Sequence, residues 1–509
     1  METTHAAPQV IRQVERPMQQ AKTGARVRTR MRLCTLAVVA GASLGLLAGT
    51  ATAAEWTRGA SLSVGGIYTD NARLTPDHER SDFITVVRPS ASLVGRGARA
   101  SVVLSGALEF NDLGGDSDNV NPFLNALGNV ELVEDFLFID AYARAYQTTV
   151  DPFRAYGDTP LNRAENSETA YMWGISPYLR KRFGSFANFE ARYRTDDQIS
   201  ADNRFDDSTQ QHLSASLTSG SDFGRIDWGL HAQQRRTEYS NNAGTGRGQD
   251  NEFSDADLRL GYRLNRQWRL TSSVGHEKHE YDAASRDRNR NTWSAGFVWT
   301  PNPRTSLAVS QEHRSFNNKP RVDFSWRKRH LNFHASYEYT LNDTRSLRAR
   351  AGDLFGSDPL APPQYDPVTG EPLPLSRDLT FLNAGMVADE RFQSSLTLTG
   401  LRSTLTLNGR HSKQTREDSG EQAIFDDFSV RATRKLSRTL SLNGGVLWGR
   451  DEDNGGAQAD TLRYSVGLSR QLGVHSSVAL NYSHSERDSD RPLDDYTENR
   501  VYVNFMFTL

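Results

Sequence analysis

From residue 56 onward the chain alternates apolar and polar positions in stretches of about ten residues, a period-two pattern that predicts β-strands with two unlike faces. In Leu331–Tyr339 one face reads Leu331, Phe333, Ala335, Tyr337, Tyr339 and the other Asn332, His334, Ser336, Glu338. Thr461–Ser469 sets Leu462, Tyr464, Val466 and Leu468 against Arg463, Ser465, Gly467 and Ser469. The last segment sets Val501, Val503, Phe505, Phe507 and Leu509 against Tyr502, Asn504, Met506 and Thr508. Further stretches begin near Trp56, Val102, Ile139, Phe186, Leu213, Ile226, Leu258, Trp293, Leu307, Leu396, Leu405 and Leu440. No convincing helical period of any length follows residue 55.

The connections alternate as regularly as the residues. Short ones include Gly95–Gly97, Leu132–Asp135, Arg182–Gly184, Asn265–Gln267, Thr300–Pro303, Arg327–Arg329, Lys435–Arg438 and Gln471–Gly473. Between them lie longer, polar and mostly acidic ones: Asp70–Ser81, Asn111–Asn121, Asp151–Asn166, Asp197–Asp206, Ser240–Asp250, Asp282–Arg290, Asp451–Ala457 and Arg487–Asp495. That rhythm predicts an all-β fold, one transmembrane antiparallel up-and-down β-barrel of roughly 22 strands (range about 20 to 24), with both termini at the short-turn, periplasmic side. The stretch Asn342–Arg391 has room for one further strand or a plug-like loop.

A sheet crosses lipid only by closing on itself, which leaves one face in hydrocarbon and the other in a hydrated interior. The wet faces carry full charges. Lumen-facing candidates are Arg144, Glu190, Arg192, Arg194, Asp227, His231, Arg259, Arg263, Arg410 and Arg463. Two readings stand side by side for them: salt-bridge ladders that brace the wall, or selectivity for a solute. Trp56, Trp228, Trp268, Trp299 and Trp448, with Tyr68, Tyr193, Tyr239, Tyr281 and Tyr482, lie near strand ends, as membrane-interface girdles require. The end of the chain resembles the assembly signal of outer-membrane barrels, carried here by Phe505, Phe507 and Leu509; it closes on leucine where that signal has an aromatic residue.

Composition narrows the class. Apolar residues make up 37%, charged residues 24%, and mean hydropathy is −0.63, too polar for a helical membrane protein. Arg26, Arg28, Arg30 and Arg32 precede an uncharged run, Leu33–Ala54, which contains the small residues Ala51-Thr52-Ala53. These are the parts of a secretory signal; an uncleaved anchor is the other reading of the run. The domain expectation is therefore an N-terminal extension plus cleavable signal over 1–53 and an outer-membrane barrel over 54–509. The leader holds seven Lys/Arg and two Glu, so its loss takes net charge from −2 to −7, and the one cysteine, Cys34, leaves with it. No thiol, disulfide or Cys metal site is then expected.

Candidate chemistry is sparse. His475, His484, Ser483 and Ser485 cluster without an acidic orienter at a fixed offset, so no enzyme activity and no catalytic residue is expected. Asp451–Gly456 and Asp112–Asp118 are oxygen-rich but lack calcium-loop spacing, so no metal and no cofactor is expected. Acids balance bases throughout, which argues against nucleic acid as a partner. Residues 342–378 form a long proline-rich loop, a candidate constriction or lid, with Pro359, Pro362, Pro363, Tyr365 and Asp366 at its centre.

Four segments carry a resemblance: Tyr68–Pro76 (YTDNARLTP), Ser81–Thr85 (SDFIT), Gly128–Ala143 (GNVELVEDFLFIDAYA) and Asp495–Arg500 (DYTENR). The chain resembles the PEP-CTERM-system-associated outer-membrane proteins, barrels of exopolysaccharide gene clusters, with Phe324–Tyr339 only partly alike. The resemblance implies a porin-like pore of a Gram-negative outer membrane, linked to exopolysaccharide synthesis or export. The alternatives are a non-conducting surface scaffold or glycan-binding barrel and, further off, an outer-membrane hydrolase. Expected partners are outer-membrane lipid and lipopolysaccharide, the barrel-assembly machinery, and exopolysaccharide or its export components. Mass spectrometry of protein recovered from membranes should find a chain beginning at Ala54; an intact leader would favour the anchor.

Overall fold

The computed structural model describes residues 55–112, 119–157, 166–240, 250–281, 288–351, 380–381 and 385–509. Residues Trp56–Leu509 form one compact unit, the barrel. Its strands are β1 (Glu55–Thr69), β2 (Asp82–Arg96), β3 (Ala100–Asp112), β4 (Asn119–Val133), β5 (Leu137–Thr149), β6 (Ser167–Phe183), β7 (Ala187–Ser200) and β8 (Ser208–Ser219). There follow β9 (Ile226–Tyr239), β10 (Asn251–Arg263), β11 (Trp268–Tyr281), β12 (Arg288–Asn302), β13 (Thr305–His313), β14 (Pro320–Lys328) and β15 (Leu331–Asp343). A short helix, α1 (Thr344–Ala351), precedes β16 (Met386–Thr399), β17 (Ser403–Arg416), β18 (Gln422–Lys435), β19 (Leu440–Glu452), β20 (Gln458–Gln471), β21 (Ser476–Ser489) and β22 (Tyr496–Thr508).

All 22 strands form one antiparallel sheet, closed by β22 pairing with β1 from Ser61 opposite Thr508 to Thr69 opposite Arg500. Closure leaves no strand edge unpaired, the condition for backbone in hydrocarbon. Large apolar side chains accordingly lie exposed on the outside, among them Leu62, Val64, Leu230, Leu260, Val466, Leu468, Leu480 and Phe505. The rhythm of short and long connections is the expected one, and tight turns sit where the chain permits left-handed backbone: Gly184, between β6 and β7, has φ 57°. Strands run further than alternation alone suggests. β7 reaches Ser200 and β21 reaches Ser489, so Asp197, Gln198 and Arg487 belong to the wall and not to loops. The proline-rich connection likewise starts later, because Asn342 and Asp343 end β15. The eight residues of α1 are the departure from an expectation of no helix; two turns are too short to show a period.

Two of the segments that carry the resemblance meet at the closing seam. The Asp70 carboxylate accepts the Asn499 backbone N–H and Nδ2, both at 2.7 Å, while Asp70 N donates to Asn499 O at 3.2 Å. Thr69 Oγ1 donates to Glu498 Oε1 at 2.7 Å, and Asn71 Nδ2 donates to Thr497 O at 3.1 Å and Thr75 O at 2.8 Å. Beneath this clasp Ile67, Ile84, Val86 and Tyr502 form a buried apolar cluster, so Ser81–Thr85 packs at the same corner. Asp70→Ala removes two charge-assisted bonds and should lower barrel stability by about 1–3 kcal/mol. A shifted midpoint for loss of the compact, heat-modifiable form in urea would measure it.

Candidate functional site: a cross-lumen plug and a charged wall

At the long-loop end, side chains from opposite sides of the ring meet inside the barrel. Asp343 ends β15 and caps α1: its Oδ1 accepts from Ser346 N at 2.6 Å and also from Ser346 Oγ. Its other oxygen accepts from Gln210 Nε2 on β8 at 3.0 Å. From α1, Arg345 pairs with Asp196 of β7, with side chains 3% and 0% exposed. Arg348 stacks on Phe205 at 4.5 Å and donates to Phe381 O at 3.4 Å. Burial lowers the Arg348 pKa, opposed by charges that include Asp206, yet the guanidinium starts so high that it stays charged at neutral pH.

The β5–β6 connection enters from the other side. Tyr156 donates its hydroxyl to Asp451 of β19 at 3.1 Å, accepts on its carbonyl from Tyr496 of β22 at 3.1 Å, and lies under Arg487 of β21 at 5.2 Å. Phe153 stacks on Phe425 of β18 at 5.8 Å. Tyr156, Leu347, Phe381, Val387, Ala423 and Phe425 then form one buried apolar cluster. In a ring of 22, β5 and β16 are half a circumference apart, so this cluster joins elements that start on opposite walls. Burying Leu347, Val387 and the aromatic side chains is worth roughly 1.5–3 kcal/mol each, which makes the cluster the adhesive and the Arg345–Asp196 pair the registration of the plug.

Below the plug, β5, β6 and β7 carry a ladder of arginines, carboxylates and rings. Arg192 donates to Asp140 Oδ2 at 2.6 Å, to Ser176 Oγ at 3.1 Å and to Glu190 Oε1 at 3.4 Å, and lies over Tyr178 at 3.8 Å. Arg180 reaches Glu190 at 3.3 Å and stacks over Phe138 at 5.4 Å. One step higher, Arg194 donates to Asp196 Oδ1 at 2.9 Å and to the Tyr142 hydroxyl at 2.6 Å. Asp196 is thus shared between the wall and the plug. Gly174 is required here: a Cβ would stand 2.7 Å from the Tyr142 ring and 2.6 Å from Asp196 Cβ. Along β19–β22 and β1 the inner face toward the short turns is of another kind: Ser441, Asn443, Ser465, Asn481, Asn504 and Ser63 offer hydroxyls and amides.

Each candidate of the wet face has a definite place. Exposed Tyr193, Leu230, Tyr464, Leu260 and Tyr262 alternate with Arg192 and Arg194, His231, Arg463, Arg259 and Arg263, which therefore occupy the inner side. Arg144 and Glu190 share that side with Tyr142 and Arg192. Several engage in pairs: Arg259 with Asp257 at 2.6 Å, Asp227 with Arg269 Nε at 3.2 Å, Arg410 with Asp427, and Arg463 with Ser485 Oγ at 2.8 Å. Trp268 and Trp299 meet at a tilt with ring centroids 5.8 Å apart and Trp228 meets Phe223 edge-on at 5.5 Å, both next to short turns. Trp56 opens β1 at the same end, and Trp448 faces outward toward the long loops, under Arg450 at 5.7 Å. Phe505 pairs opposite Val64 and Phe507 opposite Leu62, and Leu509 N donates to Ala60 O at 2.8 Å.

The remaining candidates do not assemble. His484 turns to Asn499 and Tyr464 on the outer face, Ser485 faces inward onto Arg463, and His475 packs by Phe507. Asp453 closes its own loop through Gly455 N and Ala457 N at 2.8 and 3.0 Å. Among the described residues no group of three or more His, Cys, Asp or Glu is placed to hold a metal. Pro359, Pro362, Pro363, Tyr365 and Asp366, and residues 1–53, lie outside the described residues. Sequence reasoning missed Asp140, Tyr142, Tyr156, Tyr178, Asp196 and Arg345. Extending the alternation of Glu190, Arg192 and Arg194 by one step reaches Asp196; nothing periodic marks Arg345.

This is the fold of outer-membrane β-barrels. Among solved structures it is similar to the FrpB iron transporter from Neisseria meningitidis (F5-1 variant), at TM-score 0.50 and 11% identity over 88% of this chain and 82% of that one. It is also similar to a point mutant of the ferric enterobactin receptor (PfeA) from Pseudomonas aeruginosa, at TM-score 0.50 and 10% identity over 90% and 81%. Residues 400–508, which hold β17 to β22, match the family model "Putative beta-barrel porin 2". No curated protein matches the chain in sequence.

Replacing Arg345 by alanine removes one of the two cations on the buried Asp196 carboxylate, a loss of about 3–5 kcal/mol to the plug. Amide hydrogen exchange should then show α1 losing protection while the strands keep theirs.

Proposed function

We propose that this protein is a porin-like conduit of the Gram-negative outer membrane whose long-loop mouth is held shut by its own loops, and that its cargo is a glycan of an exopolysaccharide pathway. The observation that carries the gating is the cross-lumen plug: a buried ion pair and a small apolar cluster, and not a covalent or fully packed domain, join two loops to distant walls. The matched porin family over β17–β22 supports a passage, and the resemblance of the seam and β4–β5 segments supports the polysaccharide link. In this reading the long loops face outward and both chain ends face the periplasm, as the short turns do in such barrels. The scaffold reading differs at one point: its plug never moves.

Single-channel recording in planar bilayers separates them. The unmodified protein should give small or rare steps, and Arg345→Ala together with Leu347→Ser should give stable large ones. A folded, heat-modifiable double variant that stays silent would sink the conduit and leave the scaffold.

A further inference from the structure

The ladder on β5–β7 offers more than bracing. Arg180, Arg192 and Arg194 stay 55%, 27% and 38% exposed although each is ion-paired. Their bonds to described residues engage only part of each guanidinium: Nε and Nη1 in Arg192, Nε and Nη2 in Arg194, Nη2 in Arg180. Stacking on Tyr178, Tyr142 and Phe138 fixes the planes of these guanidiniums, so the unused N–H groups are held in place beside the lumen. Beside Arg180 and Arg192 stand acceptors, Glu190 and Asp140, themselves about one-third exposed.

We propose that this wall is a binding track for an uncharged, hydroxyl-rich chain, a neutral oligosaccharide or polysaccharide. A hydroxyl both donates and accepts, so vicinal hydroxyls suit a surface on which guanidinium and carboxylate alternate. A chain bearing carboxylates would gain from the arginines but meet like charge at Glu190 and Asp140, which the neutral chain does not. Toward the short turns, the hydroxyl and amide residues of β19–β22 and β1 add sites that a polyol matches. The track climbs from Arg180 through Arg192 to Arg194, and Arg194 shares Asp196 with the plug. A bound chain is thereby led to the gate.

This inference deepens the conduit reading and rests on it for its biological sense, but its test measures binding and not conduction. The full chain, folded in a zwitterionic detergent without a sugar headgroup, is titrated calorimetrically with linear neutral glucans and with polygalacturonate fragments of matched length. Neutral chains should bind, more tightly as they lengthen, with acidic ones at least about tenfold weaker. Tyr178→Leu with Arg192→Met should weaken neutral binding about tenfold. Glu190→Gln, which keeps the shape of the wall, should narrow the gap between neutral and acidic chains. Equal or tighter binding of the acidic chains, no binding of the neutral ones, or neutral binding indifferent to the Tyr178 and Arg192 changes would overturn the proposal. Binding in a protein whose plug-released variant never conducts leaves the track standing and removes the conduit; large conductance without oligosaccharide binding removes the track alone.

Discussion

Everything in this molecule depends on the pairing of β1 with β22. An open sheet in hydrocarbon would strand two rows of backbone donors and acceptors, each costing several kcal/mol, so the barrel exists only if its ends meet. The chain places polar residues at that meeting: Asp70 and Thr69 from one end hold Asn499 and Glu498 from the other. The bonds join residues more than four hundred positions apart, which puts them among the most entropically demanding contacts of the chain. The polar residues of these segments thus have a physical explanation at the seam.

Closure creates a second problem, a lumen wider than side chains can fill. The protein answers it differently at its two ends. At the long-loop end the ring is bridged by α1 and by the β5–β6 connection through buried and half-buried hydrogen bonds, Gln210 and Ser346 to Asp343, Tyr156 to Asp451 and Tyr496 to Tyr156. Toward the short turns the wall keeps its polar side chains partly exposed, with guanidiniums paired laterally to carboxylates on the same sheet. Those lateral pairs do two jobs. They stiffen the wall, and they prevent a strongly one-signed field that would favour or exclude charged solutes outright.

The link between the two regions is a single carboxylate. Asp196 is fully buried and receives Arg194 from the wall and Arg345 from the plug. In a site of low polarity such a pair contributes little as net stability, because desolvation offsets attraction, but breaking it on one side is costly. A contact of that kind is suited to setting the position of a movable element. It registers the plug, while the apolar cluster around Leu347 and Phe425 supplies the adhesion.

The sequence by itself determined the antiparallel strand architecture, a count near 22 and the two faces of the strands, because the environment imposes a strict period of two and one residue of slip would put charge into lipid. It determined the asymmetry of the ends for the same reason: turn lengths are local. It also assigned Arg192, Arg194 and Arg463 to the polar face of their strands. It did not show what they face, since Asp140 lies 52 positions from Arg192 and their meeting requires three strands in register. Only the tertiary structure decided that α1 exists inside the barrel and that Tyr156 and Leu347 meet there. Two helical turns carry no readable period, and contacts between opposite walls are set by the curvature of the closed ring, which no local pattern of residues encodes.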